Sequence, residues 1–176
     1  FSEVKQENPA IFGQLFIHNK IYNSVKGICP TGRFVIVAFN YLYNITDHAI
    51  INNDVYYMSL DNGLSLKDII AFNYIYKAGG KGIGMQNSRN ALIMGNAIYD
   101  TDVGINALND TIVMANFINK TATRGITVGG DNVLVIGNTL ANCPQEIYSF
   151  ARNTQIIFNN FLDSSVFIGT SYPEDT

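Results

Sequence analysis

Between Ala91 and Ile168 the chain repeats one pattern four times: ALIMGNAIYDTDVGI, TIVMANFINKTATRGI, VLVIGNTLANCPQEI and QIIFNNFLDSSVFI. Each copy has a four-residue apolar run, an Asn, an apolar residue two further on, a short polar link, and an Ile that usually follows Gly. With Asn96, Asn116, Asn138 and Asn160 as anchors, the intervals are 20, 22 and 22 residues. A period near 20 that contains only strand-length apolar runs restricts the chain to a solenoid of stacked coils.

The same template extends backwards through LFIHNKIYNSVKGI from Leu15, IVAFNYLYNITDHAI from Ile36 and IIAFNYIYKAGGKGI from Ile69. The anchors become Asn19, Asn40, Asn73, Asn96, Asn116, Asn138 and Asn160, at intervals of 21, 33, 23, 20, 22 and 22 residues. The residue two after each is Ile21, Leu42, Ile75, Ile98, Ile118, Leu140 and Leu162, so the register is strict. The long interval holds NNDVYYMSLDNGLSLKD, read as a loop over residues 52–65 that projects from one coil. Residues 1–13 read as a lead, 14–170 as the repeat domain and 171–176 as a tail.

Three short strands and three turns fit each coil. The first strand starts at the Gly-Ile, the second is the apolar run, and the third starts just after the anchor Asn. Helical repeats need longer units, and nothing here sustains a 3.6-residue period. The expected fold is all-β: a single-stranded right-handed parallel β-helix of about seven coils, ~34 Å tall at ~4.8 Å per coil.

A chain of 176 residues with 47% apolar content buries a sizeable core as one domain. With 14% charged residues and a net charge of −3, it offers no field for nucleic acid and no polybasic membrane patch. No apolar run is long enough for a transmembrane helix. The opening FSEVKQENPA, with neither initiator Met nor signal-peptide core, reads as the edge of a piece of a longer protein. The 22 asparagines, with Ile, Val, Phe, Tyr and Gly, favour strands and turns. Cys29 and Cys143 fall about five coils apart, too far to bridge, and read as two buried thiols.

Residues 14–170 resemble the right-handed parallel β-helix repeats of pectate lyases, polygalacturonases, alginate epimerases, NosD-type periplasmic proteins and phage tailspikes. In that superfamily the anchor Asn sits in the tight turn between second and third strands and stacks as an internal ladder. The physical reason stands independently, since Asn tolerates a left-handed backbone and its amide can bond the equivalent amide one coil away. The resemblance implies an extracellular or cell-envelope setting and polysaccharide as the partner. It allows calcium, although no calcium cluster of pectate-lyase type and no Asp-Asp or Gly-His-Gly polygalacturonase signature occurs. No metal or other cofactor is expected from the residues themselves.

In β-helix enzymes the groove runs along the first-strand face, where alternation would point Gln86, Asn106, Thr127 and Tyr148 outward. Two residues before each first-strand Ile stands Lys26, His48, Lys81, Val103, Arg124, Gln145 or Val166, a largely basic column, with Asp102 and Glu146 beside Arg124 on neighbouring coils. A β-eliminating lyase needs a cation to neutralise a uronate and a base to take its α-proton, roles open to Arg124 and to Lys81 or His48. Lys26, Tyr148, Asp102, Glu146 and the loop residues Tyr56 and Tyr57 are the candidate substrate contacts. A row of solvated polar links accounts for the same column without chemistry. Two functions therefore stand open: a polysaccharide-binding domain with a lyase or epimerase platform as its enzymatic form, or a non-catalytic fibre, surface-layer or tailspike segment.

The second strands do not alternate. Counting four, three and two back from each anchor, every column is apolar, as in Leu92, Ile93 and Met94. Whichever register points inward, apolar side chains also point outward, which calls for self-association or packing against other parts of a parent protein.

Overall fold

The computed structural model describes residues 13–30, 34–53, 68–86, 90–162 and 168–170. The first coil holds β1 (Leu15–Ile17) and β2 (Lys20–Ser24), and the second β3 (Ile36–Ala38), β4 (Tyr41–Ile45) and β5 (Ile50–Asn53). The third holds β6 (Asp68–Ala71) and β7 (Tyr74–Gln86), the fourth β8 (Ala91–Met94) and β9 (Ala97–Ala107), and the fifth β10 (Ile112–Met114) and β11 (Phe117–Val128). The sixth holds β12 (Leu134–Ile136), β13 (Thr139–Ala141) and β14 (Gln145–Ser149), and the last β15 (Gln155–Ile157), β16 (Asn160–Leu162) and β17 (Ile168–Thr170). In β7, β9 and β11 the third strand runs on into the next first strand. Every pairing is parallel, each strand to its counterpart one coil away, and the described residues contain no helix.

The seven second strands form one sheet in the order β1-β3-β6-β8-β10-β12-β15. Seven stations bound six steps, so the solenoid has about six turns where about seven coils were expected. The first two residues of the expected 52–65 loop are strand residues. Asn52 and Asn53 belong to β5, and buried Asn52 donates its Nδ2 to Asp68 Oδ2 at 2.7 Å. The rest of that loop, with Tyr56 and Tyr57, lies outside the described residues.

Each strand sends one apolar column inward, and the three columns meet as the core. Val37, Ile70, Ile93, Val113 and Val135 come from the second strands, and Leu42, Ile75, Ile98, Ile118 and Leu140 from the third. Ile50, Ile83, Ile105, Ile126 and Ile147 come from the first. All fifteen are fully buried. Gly before the first-strand Ile is a packing requirement, since a Cβ on Gly104 would stand 2.5 Å from the Gly125 carbonyl oxygen of the next coil.

The ladder is present. Asn19, Asn40, Asn73, Asn96, Asn116 and Asn138 each donate both backbone N–H and Nδ2 to the Oδ1 of the next anchor, at 2.9–3.0 Å. Its last rung corrects the sequence reading: Asn138 donates to Asn159 and not to Asn160. β12 registers with Gln155–Ile157, one residue earlier than the template placed it, and Asn160 is an exposed strand residue paired with Thr139.

The corner geometry brings a second correction, because the left-handed residue is the one before the anchor. His18, Phe39, Phe72, Gly95, Ala115, Gly137 and Phe158 have φ between 52° and 63°. Two further corners repeat this. One lies four residues after the anchor, at Asn23, Asn44, Lys77, Asp100, Lys120 and Asn142. The other lies six before it, at Gly13, Phe34, Asn90, Asp110, Asn132 and Asn153. All the positive-φ residues among those described fall in these three columns, so one left-handed residue makes each bend of the coil. Six asparagines outside the ladder thereby find a reason, since Asn tolerates that conformation better than most side chains.

Candidate functional site

Where third strand bends into first strand, the outer surface is concave. An open groove of about 690 Å³ runs there across four coils, from Asn44 to Ala122. Its lining repeats by coil: Asn44, Lys77, Asp100 and Lys120 at the left-handed corner, then Thr46, Gly79, Asp102 and Ala122 two residues on. Lys120 Nζ reaches Asp100 Oδ1 at 3.3 Å, and Lys77 Nζ lies 5.6 Å from the ring of Tyr76. Both contacts are at the surface, where such pairs are worth about 1 kcal/mol or less.

The basic column borders this groove on the first-strand side, and its members do not converge. Lys81 is in register with Val103, which is in register with Arg124, so Lys81 and Arg124 stand two coils apart, about 10 Å. His48 lies on the coil before Lys81 and accepts the Lys81 backbone N–H at its Nδ1, at 3.0 Å. Burial pushes its pKa down; nearby Asp47 pulls it up by less, and Lys81 and Lys26 push it down further. The Lys81 N–H on Nδ1 fits the tautomer with its proton on Nε2, and Asp47 Oδ1 lies 3.1 Å from the same Nδ1.

Arg124 is the most constrained cation of the column. Its Nε donates to Gln145 Oε1 at 3.0 Å, and the guanidinium carbon lies 4.1 Å from the ring centre of Tyr148. Asp102 lines the groove, and Lys26 is exposed on the first coil. Glu146 corrects the sequence reading. It occupies the position of Gly125 one coil on and is fully buried, so it does not face a ligand. Of the outward residues expected on the first strand, Asn106, Thr127 and Tyr148 share a column with Gly84, while Gln86 stands two residues further on. Thr127 is buried in that column. Cys29 is exposed, not buried as expected; Cys143 is buried, and both are free thiols. No group of three or more His, Cys, Asp or Glu among the described residues is placed to hold a metal ion.

Sequence reading missed an aromatic surface on the third strands, outside the residues that line the groove. Outward positions of the third strands carry Tyr41, Tyr74 and Phe117 in one column and Tyr22, Tyr43, Tyr76 and Tyr99 in the next. Tyr41 and Tyr74 stack with centroids 5.1 Å apart, and Tyr43 and Tyr76 at 5.6 Å. On the adjoining corner His18, Phe39 and Phe72 stack at 5.4 and 5.3 Å. The Tyr74 phenol is held above its ordinary pKa, first by desolvation and then by the neighbouring phenols of Tyr99, Tyr41 and Tyr76. The signal was present in NYLYN and NYIYK, where aromatics flank each inward Leu or Ile with period two.

Fold and groove together define a parallel β-solenoid with a periodic, charged surface channel. Compared with family models, curated proteins and solved structures, the chain finds no match in any of the three.

Proposed function

We propose that the chain is a β-helix domain of the pectate-lyase-like superfamily that binds polysaccharide along the groove beside its first strands, in an extracellular or envelope setting. The groove carries this reading. A channel whose positions recur at every coil, with polar or charged side chains at each corner, suits an extended polymer laid along the coils. The groove lining itself balances Lys77 and Lys120 against Asp100 and Asp102, and the further cations Lys81 and Arg124 stand on the adjoining first-strand segments of β7 and β11. An acidic, uronate-containing chain is the favoured ligand. Binding is better supported than elimination or epimerisation, because Lys81 and Arg124 stand two coils apart and His48 Nδ1 is occupied by a backbone amide.

Affinity electrophoresis in gels containing polygalacturonate or alginate tests the reading. Arg124→Ala combined with Lys81→Ala should weaken retention and leave the melting temperature unchanged. Equal retention of variant and parent, or no retention of the parent, overturns it.

The second strands favour a second reading, an assembly element. Their outward columns are apolar along most of the solenoid, from Ile36, Ile69, Leu92, Ile112 and Leu134 to Met94, Met114 and Ile136. Lateral packing on copies of itself or on other parts of a parent protein would cover them. Sedimentation at micromolar concentration separates the cases, since a clean monomer that binds no hydrophobic dye removes the self-association form.

A further inference from the structure

We infer that the aromatic wall of the first three coils is a second saccharide surface, one that takes an uncharged glycan and is separate from the charged groove. Two residues of this wall carry a backbone cost that the bend itself does not require, with their rings stacked at 5.3 Å. Phe39 and Phe72 have φ of 56° and 55° and are 53% and 47% exposed. Glycine adopts that backbone freely and a bulky residue does not. The same corner is made by Gly95, Ala115 and Gly137 in later coils, so the bend itself asks for nothing larger. The ring of Phe72 lies over Gly95, where an added Cβ would come within 2.6 Å of it. The two rings are held in place and left open to solvent.

The stacking geometry leaves usable faces. Rings in full face-to-face contact would sit about 3.5–4.0 Å apart. Here the near-parallel pairs Phe39–Phe72, Tyr41–Tyr74 and Tyr43–Tyr76 have centroids 5.1–5.6 Å apart, so each ring overlaps the next like a tile and keeps part of one face in water. The electron-rich face of an aromatic ring attracts the slightly positive C–H groups on the apolar side of a pyranose, and the tyrosine hydroxyls can meet its hydroxyls.

Area and charge decide the occupant. The wall is about 13 Å wide, from the corner residue to the outward residue four further on, and about 15 Å tall over three coils. That gives on the order of 200 Å², against about 800 Å² per partner in a standard protein interface. A few sugar rings fill it, and without the adjoining second-strand face it is too small to hold a second copy of the chain. The rings of the wall carry no charge to select an anionic sugar, and its cations, Lys20 and Lys77, are confined to the margin, 5.9 and 5.6 Å from the rings of Tyr41 and Tyr76. The inference rests on the saccharide reading for its class of ligand, but its aromatic residues are not among those that line the groove, and only Lys77 at the margin is shared.

The test is retention of the purified chain across neutral polysaccharides, including hydroxyethylcellulose and mixed-linkage β-glucan, beside polygalacturonate. The variant F39G/F72G suits the backbone, so its melting temperature should be at or above that of the parent. It should bind the neutral polymers at least tenfold more weakly and polygalacturonate as before, whereas R124A/K81A should show the reverse. Y41A/Y74A should act as F39G/F72G does. Neutral binding that survives in F39G/F72G overturns the inference, as does a parent that binds polygalacturonate and no neutral polymer. Failure of both ligands removes the groove reading as well. Self-association of the parent that disappears in F39G/F72G would make the wall a contact between copies and equally overturn the inference.

Discussion

The side chain of Asn116 joins three coils. Its Nδ2 donates to Asn138 Oδ1 and to the Ile93 carbonyl, while its Oδ1 accepts from the backbone N–H and the Nδ2 of Asn96. Truncation leaves buried donors and an acceptor without partners, each worth about 1–3 kcal/mol. Asn116→Ala should therefore lower unfolding free energy by about 3–5 kcal/mol in urea titrations. Asn109→Ala, which loses one exposed bond from the Asp131 N–H, should stay within about 0.5 kcal/mol of the parent. His48 sets a pH dependence of defined sign. Its folded pKa lies below the ordinary histidine value of 6.5, so the unfolded chain binds the proton more readily. The contribution is fully present above pH 6.5 and is lost as pH falls from there towards the folded pKa. Melting followed between about pH 7.5 and 5 should show a fall that His48→Gln reduces. The ladder was legible in sequence because Asn recurs at one register. Its last rung was not, because Asn159 and Asn160 both satisfy the spacing, and the choice lies in the left-handed backbone at Phe158.

Second strands show how an element can hide its orientation. Leu92, Ile93 and Met94 are equally apolar, so composition gives no inward face, and only the corner fixes that Ile93 is buried and its neighbours are partly exposed. Ile93→Ala should cost about 2–5 kcal/mol, whereas Leu92→Gln should cost under about 1 kcal/mol by denaturant titration. Similar losses at the two positions would mean that Ile93 is not the inward member of its strand. Third strands show the opposite case, since their alternation was plain in the sequence and its outward half went unread. The inward Ile and Leu column marks the core, and the tyrosines on either side of it in NYLYN and NYIYK form the outward columns. First strands yield their core column directly, but not the burial of Glu146, which stands where the preceding coils have Gly or Ala.

At the scale of the molecule, each coil touches only its neighbours, so stability is a sum of coil and interface contributions with weaker terms towards the ends. The inward columns record this gradient. Phe16 and Ile156 are only partly buried, while the five residues between them in the same column are fully buried. The ladder amides make a matched set for measuring it. The backbone N–H groups of Asn19, Asn40, Asn73, Asn96, Asn116 and Asn138 belong to the same residue type and donate to the same kind of oxygen at 2.9–3.0 Å. Once each rate is divided by its intrinsic value, which depends on the anchor and on the residue before it, differences in their hydrogen exchange report local opening. Protection should be greatest at Asn73, Asn96 and Asn116, lower at Asn138, whose bond to Asn159 is only part-buried, and least at Asn19, which is exposed. A profile that rises from both ends to the middle is the expected result of fraying coil by coil. Equal protection at all six would show that the coils open in a single step, and the nearest-neighbour account of this solenoid would have to give way to one cooperative core.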